Sequence, residues 1–242
     1  MKPVLLSLLA LLHVSTPLAF AEEPSGAVAT PFNGRDLTGW EFKGGDQDGQ
    51  SAKWEVGTPE LAGDGEKALA AAEGGDGDAA LVNAVSGHGQ SVDIYSTDKW
   101  GSSVIELEVL VARGANSGIY VMGEYEVQIL DSHGKEKLGG GDMGAIYGAQ
   151  PPRTNACKPA GEWQKYVIDF DAPRFDADGK KTANAKFVKV ELNGEILHEN
   201  VEMDGPTPSG VTGKEAAEGP IMFQGDHGAA AFRNIRITPK SE

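Results

Sequence analysis

Residues 117–132 carry the side chains best suited to chemistry. They alternate as in a β-strand, so that successive side chains point to opposite faces. The even-numbered face carries hydrogen-bonding groups beside an aromatic ring, namely Tyr120, Met122, Glu124, Glu126 and Gln128. A carboxylate beside an amide, both projecting the same way, can accept a sugar hydroxyl or abstract a proton. This pattern indicates a site for a sugar-sized polar ligand; a solvated polar face is the alternative.

A second group suited to proton transfer lies in the turn Gln224-Gly225-Asp226-His227-Gly228. An aspartate beside a histidine can orient the imidazole or join it as a metal ligand. An ordinary polar turn between the last two strands is the alternative. The sequence contains no P-loop, H-E-x-x-H or G-x-S-x-G motif, so none of the reactions associated with those motifs is indicated.

The first 21 residues are typical of an export signal. Lys2 supplies a positive start, residues 4–12 form a short apolar run, and Ala19-Phe20-Ala21 fits a cleavage site. The apolar run is too short to span a bilayer. We therefore expect a signal peptide over residues 1–21 and an exported protein, periplasmic or extracellular, with a single domain over residues 22–242. An uncleaved anchor is the alternative.

Composition excludes several classes of partner. The chain has 242 residues and a formal net charge of −15. Nucleic-acid binding requires basic side chains that neutralise phosphates, so we expect none, and for the same reason we expect no binding to anionic lipid. We also expect no membrane insertion after signal cleavage. Cys157 is the only cysteine, so no internal disulfide can form and the core must hold the fold.

The remaining sequence predicts short strands between turns rich in glycine and proline. The clearest strand covers residues 104–112, and residues 119–130 follow it as an expected hairpin partner. Asn193-Gly194 predicts a second hairpin, because both residues accept positive φ. Residues 67–73 could form one or two Ala-rich helical turns. Further strands are predicted at 54–56, 80–82, 92–95, 163–170, 187–192, 195–201, 221–224 and 231–238.

So many short antiparallel strands predict an all-β sandwich or jelly roll. Two long irregular stretches remain, at residues 131–162 and 202–219. The first contains Tyr147, Lys158 and, just beyond it, Trp163, so we interpret it as part of a site. The second is interpreted as a surface excursion.

Ordered motifs run along nearly the whole mature chain. They begin with Phe32-Asn33-Gly34-Arg35-Asp36-Leu37-Thr38-Gly39-Trp40 and continue at residues 115–120, 125–132, 144–148, 158–163, 192–194, 219–221 and 232–235. Together they resemble the 3-keto-disaccharide hydrolase family, also called the 3-keto-glucoside lyase/hydratase domain family. The resemblance implies a concanavalin-like jelly-roll β-sandwich of antiparallel strands and exported sugar chemistry. The Gly/Ala-rich residues 57–91 depart from the family pattern, as does Ala229-Ala230-Ala231.

The resemblance also implies a reaction. A ketone at C3 of a sugar acidifies the C2 proton, so a base can remove that proton and the enolate expels the C1 substituent. Water then adds to the unsaturated sugar, and the net result is hydrolysis. This route needs a base, an electrophile over the C3 oxygen and an acid for the leaving group. It does not need two carboxylates at the fixed separation of ordinary glycosidases.

Roles for individual residues follow as hypotheses. Glu126 is the candidate base or its partner, and His227 is a second proton-transfer group that Asp226 orients. Trp163 stacks on a sugar face or belongs to the core, whereas Arg233 is expected to pair within the sheet. The groups expected to bind sugar hydroxyls or the developing oxyanion are Asn116, Tyr120, Gln128, Tyr147, Lys158 and Gln224.

Other readings of the sequence stay open. A carbohydrate-binding module without catalysis would use the same fold, and a cell-surface domain that binds protein is a third reading. No cofactor is certain, and a divalent metal over the ketone is compatible with the reaction although no ligands are evident. The sequence does not define the sugar, the linkage or the oligomeric state.

Overall fold

Alternating apolar and polar side chains build two antiparallel sheets around a shared core. The computed structural model describes residues 26–44, 51–73 and 79–241. The predicted signal peptide, residues 1–21, lies outside the described residues, and the assignment of residues 22–242 to one domain stays a prediction. The strands are β1 (Trp40–Phe42), β2 (Trp54–Ala62), β3 (Ala68–Ala72), β4 (Ala80–Asn83), β5 (Ile94–Ser96), β6 (Ser103–Val111), β7 (Asn116–Val121), β8 (Tyr125–Leu130), β9 (Gln164–Asp171), β10 (Arg174–Phe175), β11 (Lys181–Ala183), β12 (Ala185–Leu192), β13 (Glu195–Met203), β14 (Met222–Phe223) and β15 (Ala230–Pro239).

The larger sheet has the strand order β13-β12-β9-β6-β15-β4-β2-β3, and the smaller sheet has the order β1-β5-β14-β7-β8. Strands β10 and β11 form a separate two-stranded sheet, and a 3-10 turn covers Asp64–Glu66. All-antiparallel pairing in two layered sheets confirms the predicted fold class, a jelly-roll β-sandwich. No helix in the described ranges is long and apolar enough to cross a membrane.

Aromatic side chains link the two sheets through the core. Phe223 of β14 and Phe232 of β15 belong to different sheets, and their rings stack with centroids 3.9 Å apart. Trp40 extends this stack on the side of the smaller sheet, with its ring centroid 5.6 Å from that of Phe223. Trp54 extends it on the other side, at 6.1 Å from Phe232. Side chains from both sheets therefore hold the layers in register.

The predicted hairpin between residues 104–112 and 119–130 is wrong. Strand β6 lies in the larger sheet, whereas β7 and β8 pair with each other in the smaller sheet. Residues 119–130 bend because Met122 and Gly123 adopt φ values of 53° and 70°, which turn the chain back on itself. The turn places three residues between Val121 and Tyr125, so even-numbered residues still lie opposite even-numbered residues. The predicted grouping of polar side chains on one face therefore survives the bend.

Helical turns at residues 67–73 are not found either. Ala68–Ala72 forms β3, which pairs with β2 from Thr58↔Ala72 to Ala62↔Ala68. Pairing along a neighbouring strand outweighs the weak local preference of alanine for helix. The hairpin at Asn193-Gly194 is confirmed, with φ values of 54° and 89° between β12 and β13.

We expect the contact between the sheets to dominate stability. Phe232→Ala removes a fully buried ring from the aromatic stack and should lower the free energy of unfolding by about 3–5 kcal/mol. The matched control is Phe175→Ala, because Phe175 is only half-buried and lies in the peripheral sheet of β10 and β11. Urea unfolding of both variants measures the difference; equal losses would contradict this account of the core.

Candidate active site

The predicted polar face is the outer side of the smaller sheet. On this face Tyr120 lies between Glu126 of β8 and Met222 of β14, its partners in the two neighbouring strands. The next pair along these strands, Ile119 and Val127, points to the opposite face, and both side chains are fully buried in the core. Strand alternation therefore separates a hydrogen-bonding surface from the apolar interior within a few residues.

Glu126 lies near the middle of this face with its carboxylate shielded from solvent. Only 3% of the residue is exposed. Its Oε2 accepts a hydrogen bond from the Tyr120 hydroxyl at 3.0 Å, and its Oε1 lies where a Cβ on Gly118 would overlap it. Glycine at position 118 thus leaves the space that the carboxylate occupies. The sequence pattern predicted a site that a sugar-sized ligand can enter at Glu126, and this needs correction because neighbouring residues cover the carboxylate.

The Tyr120 hydroxyl can support the carboxyl group in both protonation states. It lies 3.0 Å from Glu126 Oε2 and 3.2 Å from the carbonyl oxygen of Pro208. When Glu126 is ionised, the phenol donates to the carboxylate. When Glu126 is protonated, the carboxylic acid donates to the phenol oxygen and the phenol donates to Pro208. Burial, followed by the charge of Glu126, raises the pKa of Tyr120, so the phenol keeps its proton.

The environment moves the Glu126 carboxyl group into the range of a neutral-pH base. Burial raises its pKa to about 7, because the charged form loses its hydration. The Tyr120 hydrogen bond and the nearby His227 act in the opposite direction, and the charges of Asp93 and Asp226 raise the pKa further. A carboxylate with a pKa near the working pH is both available as a base and basic enough to abstract a proton.

His227 lies in a turn that the other sheet holds in place. Its Nδ1 forms a hydrogen bond with the Asp226 carboxylate. The ring of His88, which the sequence did not assign, packs edge-on against the imidazole with centroids 4.6 Å apart. Asn83 of β4 donates from Nδ2 to the carbonyl oxygens of Gly225 and Gly228, each at 2.8 Å. These two bonds bracket the Asp226-His227 pair.

The predicted amide ligands Asn116, Gln128 and Gln224 differ in how far the protein already occupies their hydrogen-bonding atoms. Gln128 Nε2 donates to Asn116 Oδ1 at 2.5 Å and to the carbonyl oxygens of Ser117 and Ile129 at 3.2 Å each. Its donors therefore serve the protein. Gln224 is 6% exposed, and its Oε1 has no hydrogen-bond partner within the described part of the chain. A buried polar atom without a protein partner is costly unless another group satisfies it, and Gln224 Oε1 is such an atom on this side of the sandwich.

Part of residues 202–219, which the sequence predicted to be a surface excursion, forms one wall of the site. We call residues 206–213 the cover loop. The Glu124 carboxylate anchors it by accepting hydrogen bonds from Thr212 N, Thr212 Oγ1 and Gly213 N at 2.7–2.9 Å. Thr207 Oγ1 in turn accepts from the Glu126 N–H at 3.0 Å. Glu124, which shared the predicted polar face, is thus an anchor for the cover loop.

Asp93 and Lys43 are site residues that sequence reasoning missed. Asp93 is 7% exposed; its Oδ1 accepts from the Gly225 N–H at 2.9 Å and its Oδ2 pairs with Lys43 Nζ at 3.1 Å. Lys43 also donates to the carbonyl oxygen of Ser209 in the cover loop, at 2.5 Å. Alternation within residues 92–95 was the available signal, because it places Asp93 on the same face as Tyr95.

Two predicted sugar ligands lie on the other side of the sandwich. Trp163 adjoins β9 of the larger sheet, and the Arg233 guanidinium covers its ring at 4.0 Å from the centroid. Arg233 also pairs with Glu108 at 2.8 Å, which confirms that it pairs within the sheet. Lys158 Nζ donates to the carbonyl oxygen of Trp163. The structure therefore does not bring Lys158 or Trp163 to Glu126, because the loop after residue 148 crosses to the larger sheet.

Tyr147 remains beside the site. Its N–H donates to the carbonyl oxygen of Glu126 at 3.1 Å, and 41% of the residue is exposed.

Cys157 is buried, and this burial raises the pKa of its thiol to about 11. Within residues 26–44, 51–73 and 79–241, no group of three or more His, Cys, Asp or Glu side chains is placed to hold a metal ion.

The β-sandwich carries a carboxylate, amides, a tyrosine and a histidine on one side, and its family and structural relatives support a carbohydrate-active protein. The chain belongs to the 3-keto-alpha-glucoside-1,2-lyase-like domain family, whose family model matches residues 28–238. The match confirms the family resemblance that the sequence motifs indicated.

Solved structures agree with this assignment. A protein from Parabacteroides distasonis ATCC 8503, provisionally named a glycosyl hydrolase, is 28% identical with a TM-score of 0.63, over 88% of this chain and 83% of that chain. A second protein of that organism, with the same kind of name, is 20% identical with a TM-score of 0.58, over 89% of this chain and 94% of its own. The second likeness shows the fold alone. No curated protein matches the chain.

The buried carboxylate predicts a pH-dependent stability. Because the pKa of Glu126 is raised in the folded state, the folded protein is penalised where the carboxylate is ionised, so stability falls as pH rises from about 4.5 through about 7. Glu126→Gln carries no such charge. Relative to wild type, this variant should gain up to about 3 kcal/mol between pH 4.5 and pH 8. Denaturant unfolding at both pH values measures this gain, and a pH-independent difference would contradict the assigned burial.

Proposed function

We propose that this chain is an exported enzyme that cleaves 3-keto-glycosides by elimination followed by hydration. The observation that carries the proposal is the Glu126 carboxyl group, whose pKa lies at about 7 on the polar face, with Tyr120 and the Asp226-His227 pair nearby. Membership of the 3-keto-alpha-glucoside-1,2-lyase-like domain family supports the substrate class. The signal-like residues 1–21 support export.

In the proposed reaction, Glu126 removes the proton at C2 and the electron pair moves into an enolate with the C3 oxygen. The enolate re-forms the ketone as a double bond develops between C1 and C2 and the bond from C1 to the leaving oxygen breaks. His227 protonates that oxygen. Water then adds across the double bond, with hydroxyl to C1 and a proton to C2, so the products are a 3-keto sugar and the free leaving group.

The neighbours of Glu126 have supporting roles in this scheme. Tyr120 holds the carboxyl group and gives it a partner after it takes the proton, through the link to Pro208. Gln224 binds a ring hydroxyl with the acceptor that lacks a protein partner. Burial is the main cause of the raised Glu126 pKa, and the charge of Asp93, which pairs with Lys43, raises it further. These groups act on positions of one sugar ring, which must displace the neighbours that cover the Glu126 carboxylate in order to reach it.

A mutant series tests the two proton-transfer roles. Wild type should release a reducing sugar from a 3-keto-glucoside and leave the unoxidised glucoside intact, as read by mass spectrometry. Glu126→Gln and His227→Ala should each lower kcat/KM by about 100-fold or more. Glu106→Gln removes a half-buried carboxylate on the larger sheet, where it pairs with Lys165, and serves as the matched control with unchanged turnover.

Two results would defeat the proposal. Full turnover by both Glu126→Gln and His227→Ala would show that the assigned roles are wrong. Glycan binding without release of a reducing end, on every oxidised and unoxidised substrate, would identify a carbohydrate-binding module instead.

The rate should also depend on pH through the Glu126 carboxyl group. Activity of a base is lost as it becomes protonated, so log kcat/KM should rise with pH up to about 7 and then level off on that side. Asp93→Asn removes a negative charge that raises the Glu126 pKa, while keeping an acceptor for the Gly225 N–H. The pH range over which log kcat/KM rises should therefore move to lower values in this variant. An unchanged pH range would mean that another group controls the rise.

A further inference from the structure

A groove at the outer edge of β8 has no role in the reaction as described so far. It has a volume of about 610 Å³ and lies between residues 147–150 and residues 200–208. Sites for small molecules commonly enclose roughly 300–1,000 Å³. The groove is thus large enough for a sugar-sized group.

Both walls of this groove are attached to the backbone of Glu126. On one side, the Tyr147 N–H donates to the Glu126 carbonyl oxygen at 3.1 Å. On the other side, Thr207 Oγ1 accepts from the Glu126 N–H at 3.0 Å. Pro208, which also lines the groove, accepts from the Tyr120 hydroxyl that binds the Glu126 carboxylate. The groove therefore begins next to the residue proposed as the base.

The chemistry of the lining restricts what the groove can bind. Tyr147 is one of the few large apolar or aromatic side chains that are exposed in the described ranges, at 41%. Gln150 and Asn200 add amide groups, and Glu202 and Asp204 add carboxylates. Among the described residues that line the groove there is no basic side chain. An aromatic ring with amides and carboxylates suits a neutral polyhydroxyl group and repels an anion.

We infer that this groove is the subsite for the leaving group, and that it takes a neutral sugar or polyol joined to C1 of the reacting ring. The inference rests on the proposed function. The C1 substituent is the part of a 3-keto-glycoside that the reaction expels, and it extends away from a ring placed over the polar face. Tyr147 stacks on the apolar face of that substituent, while the amides and carboxylates bind its hydroxyl groups.

Three substrates that share the 3-keto-glucosyl ring but differ at C1 test this inference. The C1 substituents are methyl, a neutral glucose unit and a glucuronate unit. Wild type should have the highest kcat/KM for the neutral disaccharide and a lower value for the glucuronate, whose charge the groove disfavours. A glucuronate substrate as good as the neutral one would overturn the charge selectivity.

Variants of Tyr147 separate stacking from a general effect on the site. Tyr147→Ala should lower kcat/KM for the neutral disaccharide about fivefold to tenfold and leave the methyl glycoside within about twofold. Tyr147→Phe keeps the ring and should lose less kcat/KM for the neutral disaccharide than Tyr147→Ala does. Ile196→Ala is the control for loss of an exposed apolar side chain outside the groove. Equal losses for the methyl and disaccharide substrates in Tyr147→Ala would overturn the inference.

A binding experiment tests saccharide binding in the groove independently of the proposed reaction. When wild type converts none of the three substrates, the proposed function is refuted, and calorimetric titration with maltose and methyl glucoside then decides on the groove. Tighter binding of maltose than of methyl glucoside, lost in Tyr147→Ala, would support a second saccharide subsite. Equal binding of the two sugars, absent maltose binding or binding that Tyr147→Ala leaves unchanged would overturn it.

Discussion

The Glu126 carboxylate lies in the edge strand β8 and is held out of water, and this burial restricts which residues can surround it. Glu126 is 3% exposed, and burial raises its pKa to about 7. The charged form can persist there only if polar groups replace its hydration. Tyr120 supplies that group to one oxygen, and the absence of a side chain at Gly118 leaves room for the other. The basicity of the group and its tight packing are therefore consequences of the same burial.

The Glu124 side chain helps to hold the backbone of Glu126 in place, because it anchors the cover loop that binds the Glu126 N–H. Strand β8 is at the edge of its sheet, so the N–H and C=O of Glu126 would otherwise lack partners there. Thr207 and Tyr147 satisfy them from two different loops. The Glu124 carboxylate fixes the first of these loops through the backbone of residues 212–213. Two neighbouring glutamates on one predicted face thus have different tasks, because the Glu124 carboxylate binds the cover loop, whereas the Glu126 carboxylate is buried against Tyr120 and Gly118.

The sequence was sufficient for the family, the fold class and the polar face, and insufficient for the loops around it. Alternation survives the unpredicted bend at Met122-Gly123, since a turn of three residues preserves which side chains share a face. Periodicity does not predict where a long loop lies, because the position of the loop depends on contacts with residues distant in sequence. Lys158 and Trp163 were therefore grouped with a site that lies on the opposite sheet, whereas Asp93 was missed although alternation within residues 92–95 places it on the polar face. The family match does not decide such placements, because it assigns no positions within the cleft.

The distance between the two proton-transfer candidates depends on how the sheets pack against each other. Glu126 lies in the smaller sheet, whereas the turn with His227 is bound both by Asn83 of β4 in the larger sheet and by Asp93 next to β5 of the smaller sheet. Asn83 is fully buried, and both of its bonds go to backbone carbonyl oxygens, so the turn cannot shift without leaving a buried donor unpaired. The stacked rings of Phe223 and Phe232 set the separation of the same two layers. A change in that aromatic contact would therefore move the imidazole relative to the carboxylate, although neither ring touches the polar face.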